Sequence, residues 1–341
     1  MSASEHSPVA PAASAERRRA GGRVPDFFIA GQPKSGTTAL YEMLRRHPQI
    51  YMPELKEPLF FASDLRPAIA RRPREAGTRP PFPVTYEEYL ELFAAAAPEQ
   101  RAGEATPTYL RSHVAAGAIA RVQPGARIVA IFREPASFLR SLHLQWLQEH
   151  LENEPDLERA MAREQDRRAG RLGAGERPQA RTLLYSEFVR YAEQLERFAA
   201  VFPREQLLVL IYDDFRADNQ AVVRQVLRFL EVDDSHPLEE LEANPTIAAR
   251  SVRLERMVLR AQSGRGAIAG PARAAVKALT PRGMRRRVFY PLRRRLLYRD
   301  PEPADEALTA RLRRRFEPEV QALGEYIGRD LLALWGYRSP G

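Results

Sequence analysis

The sequence predicts a three-layer α/β fold, with a central, mostly parallel sheet flanked by helices. Three observations predict it. Short apolar runs of strand length recur at residues 27–30, 127–132 and 207–212. Each run leads toward a stretch whose apolar residues fall at helical spacing. No internal repeat is visible.

The elements follow in order. Residues 1–23 are rich in Ala, Ser, Pro and Arg, and read as a disordered tail without the apolar core of a signal peptide. Residues 24–341 read as one domain. The strand at 27–30 ends at Gly31, and Leu40, Tyr41 and Leu44 mark one face of a helix over 37–46, stopped by Pro48. Residues 66–83 hold five prolines and five arginines, which places an exposed loop at about 62–84. Tyr89, Leu92 and Phe93 mark the buried face of a helix over 86–96. The run 127–132 is the clearest strand, and a helix over 135–150 follows it. A second polar loop spans about 160–182, then a helix over 185–202, a strand over 207–212 and a helix over 219–230. Arg250 to Arg299 carry fifteen basic residues against one acid, Glu255, and read as a basic helical arm over 250–300. Amphipathic helical spacing returns over 303–335.

Composition narrows the function. The chain has 341 residues and a formal net charge of +9, which favours anionic ligands without choosing among them. An Arg-rich, Ala-rich chain is equally the mark of a biased genome. There is no cysteine, which excludes disulfides, thiolate metal sites and a cysteine nucleophile, and fits a reducing, cytoplasmic setting. No apolar run approaches the roughly 20 residues of a membrane-spanning helix.

The chemistry concentrates in Gly31-Gln32-Pro33-Lys34-Ser35-Gly36-Thr37-Thr38, between the first strand and the first helix. An α/β fold binds phosphate there, because backbone N–H groups of the turn and the helix N-terminus converge on the anion. The two glycines keep the spacing of an NTPase P-loop, so the fold expected is P-loop NTPase-like. Thr37 occupies the usual lysine position, however, and the lysine lies inside the loop at Lys34. Without a clear acidic metal ligand after a strand, a metal-dependent NTPase is disfavoured.

Pro33-Lys34-Ser35-Gly36-Thr37-Thr38 resembles the P-K-[ST]-G-T-T signature of sulfotransferases that use 3′-phosphoadenosine 5′-phosphosulfate (PAPS). The resemblance implies that Lys34 stabilises the bridging oxygen of the leaving group, while Ser35, Gly36, Thr37 and Thr38 hold the 5′-phosphate and sulfuryl oxygens. Arg133-Glu134-Pro135, followed by Arg140-Ser141, is similar to the family's second signature, which implies that Arg133 and Ser141 grip the 3′-phosphate. Lys56-Glu57-Pro58-Leu59-Phe60-Phe61 resembles the K-E-x-x-F-F element of the carbohydrate branch, and residues 103–110 its E-K-[ST]-P-x-Y element. Tyr212-Asp213-Asp214-Phe215 resembles a strand-closing Y-E-D-[LM], whose tyrosine lies near the adenine. The resemblance also suggests, from position and charge, that Arg250 returns to the 3′-phosphate. Ala105 stands where several glycosaminoglycan enzymes carry lysine, and Ala39 where many small-molecule enzymes carry tryptophan.

These readings imply sulfuryl transfer from PAPS to an acceptor hydroxyl or amine on a carbohydrate or other small metabolite, with no metal required. Glu57 is the first candidate for the base and His113, about 20 residues before Arg133, is the second. Two alternatives stand beside this: a P-loop kinase of a small molecule, and a non-catalytic binder of nucleic acid or membrane working through the basic arm. No nucleic-acid motif supports the latter.

Overall fold

The structure, a computed structural model, describes residues 23–70, 82–173, 182–238, 248–249, 298–299 and 305–338. Five parallel strands form the centre, in the order β2-β3-β1-β4-β5. They are β1 (Phe27–Gly31), β2 (Ile50–Tyr51), β3 (Arg101–Ala105), β4 (Arg127–Phe132) and β5 (Leu207–Ile211). Register pairs Phe27 with Gly103 on one side and with Arg127 on the other, and Ile128 with Leu207.

Strand alternation divides the core into two faces. Phe28, Ala30, Ile128, Ala130 and Phe132 point to one side, and Phe27, Ile29, Val129 and Ile131 to the other. Both sides are buried, as a parallel sheet between helical layers requires. One layer contains α1 (Thr37–Arg45) and the two helices that follow β5, α10 (Tyr212–Ala217) and α11 (Asn219–Phe229). The other contains α4 (Ala115–Val122), α5 (Pro135–Gln148), α8 (Tyr185–Phe188) and α9 (Tyr191–Ala199). The three-layer α/β expectation is therefore met.

Local chemistry fixes the helix ends. At α3 (Tyr86–Glu91) the Thr85 hydroxyl accepts from Glu88 N and the Glu88 carboxylate accepts from Thr85 N, a reciprocal cap. Pro135 opens α5 and the Glu134 carboxylate accepts from Ser137 N. Among the described residues the longest helix runs from Glu306 to Ile327, capped by Asp305 and ended by Gly328 at φ 71°. It follows in chain order after α2 (Arg66–Ala70), α6 (Leu157–Ala162), α7 (Glu164–Arg168) and those above, and is α12; Leu331–Leu334 is α13. α12 packs on α5, α9 and α13.

Several elements differ from expectation. β2 and β3 carry no alternating apolar pattern and give no strand signal in the sequence. Gly103 weakens the signal of β3 further, yet a Cβ there would sit 2.1 Å from the Phe27 ring. Within the two expected loops the described residues form α2, and α6 with α7. In the second case a buried ion pair overrides local polarity: Arg167 Nη1 meets Glu152 Oε2 at 2.8 Å, and both side chains are at most 1% exposed. The helix expected over 185–202 is split into α8 and α9, and Tyr212 opens α10 instead of closing β5. The amphipathic C-terminal stretch is likewise two helices, α12 and α13. Residues 1–22, 71–81 and 174–181 lie outside the described residues. So does the basic arm, except where Tyr298–Arg299 pairs antiparallel with Ala248–Ala249.

Candidate active site

At the carboxyl ends of β1 and β4 the loops converge on a cavity of about 280 Å³. Its lining includes Lys34, Gly36, Thr37 and Thr38 from the β1–α1 loop, Arg133 and Ser141 from β4–α5, and Tyr212 from the start of α10. Lys56 and Glu57 line it as well. Segments far apart in sequence are thus brought to one place, outside the strand ends where open α/β sheets bind ligands.

The β1–α1 loop is pinned at its start. Gln32 N donates to Ile131 O at 2.8 Å, and the Gln32 side-chain amide donates to Phe188 O at 3.0 Å. Lys34 then adopts φ 61° and Gly36 φ 86°. At Gly36 a side chain is excluded twice over, by that backbone angle and by the Phe215 ring 2.9 Å from where a Cβ would lie. The turn aims the N-terminus of α1 at the cavity, with Thr37 buried and Thr38 exposed. Ser35 is buried too, but is not among the lining residues, and its hydroxyl faces Pro33 O at 3.4 Å.

Arg133 locks the two loops together. Its Nη1 donates to Lys34 O at 3.1 Å and its Nε to Ser137 Oγ at 3.1 Å. Its guanidinium lies over the Tyr212 ring, 4.8 Å from the centroid. The Tyr191 hydroxyl donates to Arg133 O at 2.8 Å. Burial pushes the Lys34 ammonium below its ordinary range; Glu149 opposes the shift and the Arg133 charge adds to it. Burial likewise lowers Arg133, against the opposing pull of Tyr212, Asp213 and Glu134. Lys34 and Arg133 thus bring two basic side chains to one cavity, which favours an anionic ligand there.

Glu57 also has a left-handed backbone, φ 61°. Its N–H donates to Ala105 O at 3.0 Å, fixing it to the end of β3, and Lys56 Nζ lies 2.7 Å from Glu57 Oε1. His113 is exposed and is not a lining residue; its N–H donates to Asp64 Oδ2 at 2.9 Å. Arg250 lies outside the described residues. Sequence reasoning missed Arg111, Gln145, Trp146 and Phe188, which also line the cavity. Gln145 was within reach, one turn beyond Ser141 on the same helix; Arg111 and Phe188 gave no local signal. Among the described residues no group of three His, Asp or Glu side chains is placed to hold a metal ion.

Behind the lining, Glu104 is fully buried. Its carboxyl accepts from the hydroxyls of Tyr89 and, at 2.6 Å, Thr106, and is hydrogen-bonded with Tyr109. Burial pushes it up to about 7, against those hydrogen bonds.

A parallel α/β sheet whose strand-end loops bring Lys34, Arg133 and Tyr212 to one cavity has the arrangement suited to an anionic ligand such as a nucleotide. The comparisons with known proteins make this specific. A model of the sulfotransferase family matches residues 25–236, and the chain belongs to that family. Human carbohydrate sulfotransferase 15 is 42% identical over 74 residues, which is 22% of this chain and 12% of the human protein. The membrane-associated sulfotransferase kil1 of Dictyostelium discoideum is 28% identical over 127 residues, 36% of this chain and 24% of that protein. The matches thus span less than a quarter of these relatives' length. A sulfotransferase from Alicyclobacillus acidocaldarius shares the fold, with a TM-score of 0.63, 24% identity, and coverage of 91% of this chain and 98% of that one. Family membership leaves the kinase alternative without support. Among the described residues no helix is long and apolar enough to cross a membrane.

Proposed function

We propose that this protein transfers the sulfuryl group of PAPS to a hydroxyl or amine of a carbohydrate or other small metabolite. One observation carries the reading: Lys34 and Arg133, from two different strand ends, are joined by a hydrogen bond between their loops in the cavity that Glu57 also lines. The donor-side residues suit a doubly phosphorylated adenosine. Gly36 leaves no side chain at the turn, Thr37 and Thr38 offer hydroxyls, and Arg133 and Ser141 offer a second anion grip beside the Tyr212 ring. The human relative's name, carbohydrate sulfotransferase, supports a sugar acceptor.

PAPS, when bound, supplies the sulfuryl group and leaves as PAP, adenosine 3′,5′-bisphosphate. Glu57 takes the proton from the acceptor O–H or N–H as the new bond to sulfur forms. The S–O bond to the 5′-phosphate breaks, its electron pair passes to the phosphate oxygen, and Lys34 stabilises that charge. The N-terminus of α1 adds its dipole to the same task. Lys56 keeps the Glu57 carboxylate at the cavity. Arg133 and Ser141 carry binding energy remote from the reacting atoms. A cytoplasmic location belongs to this reading, as does peripheral contact with anionic lipid through residues 250–300.

The test is transfer of label from ³⁵S-PAPS to a panel of mono- and oligosaccharides, with wild-type and Glu57→Gln proteins compared. Label on an acceptor with wild type, and a loss of about 100-fold with Glu57→Gln, supports the assignment. Transfer undiminished in Glu57→Gln removes Glu57 from the mechanism.

A further inference from the structure

The C-terminal helices lie beyond residues 25–236 that the family model matches, yet residues of their segment bond carboxylates that neighbour cavity residues. Two carboxylates act on Arg133 electrostatically, Asp213 and Glu134. Each is adjacent in sequence to a residue of the cavity, Asp213 to Tyr212 and Glu134 to Arg133 itself. Each is also held by a residue of the C-terminal segment. Trp335 Nε1 donates to Asp213 Oδ2 at 2.9 Å. The Tyr337 hydroxyl donates to Glu134 Oε1 at 3.3 Å, and Arg313 Nε reaches the same oxygen at 3.5 Å. Arg329 grips the next residue of α10, with Nη2 at 2.9 Å from Asp214 Oδ1. Among the described residues Arg133 forms no ion pair, although two carboxylates act on it.

A carboxylate that swung onto Arg133 would satisfy the guanidinium bidentately and compete with a phosphate for it. The same helix α10 buttresses the anion loop, because the Phe215 ring fills the space where Gly36 lacks a side chain. A shift of α10 would therefore disturb both the Arg133–Tyr212 stack and the turn at Gly36.

We propose that Trp335, with Arg313 and Tyr337, is a positioning device that holds Asp213 and Glu134 off Arg133 and so keeps that arginine open for the 3′-phosphate of the donor. The proposal rests on the reading of Arg133 as the 3′-phosphate grip. It gives the segment after residue 304 a function in donor selection, distinct from its packing on α5 and α9.

The experiment is calorimetric titration of the full-length protein with PAP and, separately, with 5′-AMP, which lacks the 3′-phosphate. The proteins are wild type, Trp335→Phe, Asp213→Asn and the double variant. Trp335→Phe removes the N–H donor and keeps an aromatic ring in the buried position. It should weaken PAP about tenfold, the scale of one charge-assisted contact, and leave 5′-AMP nearly unchanged. The double variant should recover the lost preference, because a neutral amide at position 213 cannot form an ion pair with Arg133. General loosening of the fold would weaken both ligands alike and would not be rescued by Asp213→Asn. Equal weakening of PAP and 5′-AMP, an unchanged preference, or failure of rescue overturns the proposal. If Trp335→Phe does not fold, Asp213→Asn alone decides: it should bind PAP at least as tightly as wild type, and weaker binding contradicts the tether. Wild-type protein that ignores PAP defeats the donor reading itself; normal wild-type binding with the wrong variant pattern defeats only the tether.

Discussion

Two turns at the cavity share a backbone conformation and little else. Lys34 and Glu57 both sit at φ 61°. The Lys34 turn is enclosed: Gln32 is bonded on both sides, Arg133 crosses to Lys34 O, and Phe215 closes behind Gly36. The Glu57 turn is anchored by one backbone bond to β3 and one ion pair to its own neighbour, with the Glu57 side chain 46% exposed. Packing dictates the first, and the second is left open to solvent. On the proposed reading the donor side is thus built into the core, while the acceptor side rests on short-range contacts that can be changed without repacking the sheet.

The difference can be broken or sharpened by substitution, beginning with the largest effect. Lys34→Ala should lower the rate of sulfuryl transfer about 1000-fold, because one preorganised cation is lost where charge develops. PAP affinity, measured in parallel, should fall far less. Glu57→Gln should lower the rate about 100-fold with PAP affinity unaltered, which separates the two turns directly. Arg133→Ala should weaken PAP about 30-fold and uncouple the loops, as loss of a charge-assisted phosphate contact implies. Equal effects of Glu57→Gln and Arg133→Ala on PAP affinity would erase the distinction between the sides.

A separate prediction concerns stability, at Glu104. Its carboxyl is raised from 4.5 to about 7 in the folded protein. Between those values the folded state keeps a proton that the unfolded chain has released, so stability falls as pH rises through the window. The decline should total on the order of 3 kcal/mol. Glu104→Gln, which cannot titrate, should flatten it in thermal melts taken from pH 4.5 to pH 8. A melting profile as steep as wild type would place the proton elsewhere.

What was legible follows the same division. β1, β4 beyond Arg127, and β5 are apolar runs packed on both faces, and their positions could be read directly. The loops at their carboxyl ends carried the motifs Pro33–Thr38 and Arg133-Glu134-Pro135, because residue types there are dictated by turn geometry and anion chemistry. β2 and β3 were not legible: their pairing is decided by neighbours such as Phe27, whose ring needs the glycine that hides the strand. Glu57 was found by its motif and lies in the cavity, whereas His113 was placed by spacing alone and lies outside the lining. Arg111 and Phe188, with the guanidinium 4.4 Å above the ring, are assembled only by tertiary packing. The tether of Asp213 by Trp335 spans 122 residues and has no local signature.

The central claim, that the enclosed turn is a PAPS donor site, is tested most directly by calorimetric titration with PAP in EDTA, with ATP as competitor. One-to-one binding without metal, weakened by Arg133→Ala and not displaced by ATP, is the predicted result. Absence of PAP binding, together with ATP binding that requires Mg²⁺, would contradict it.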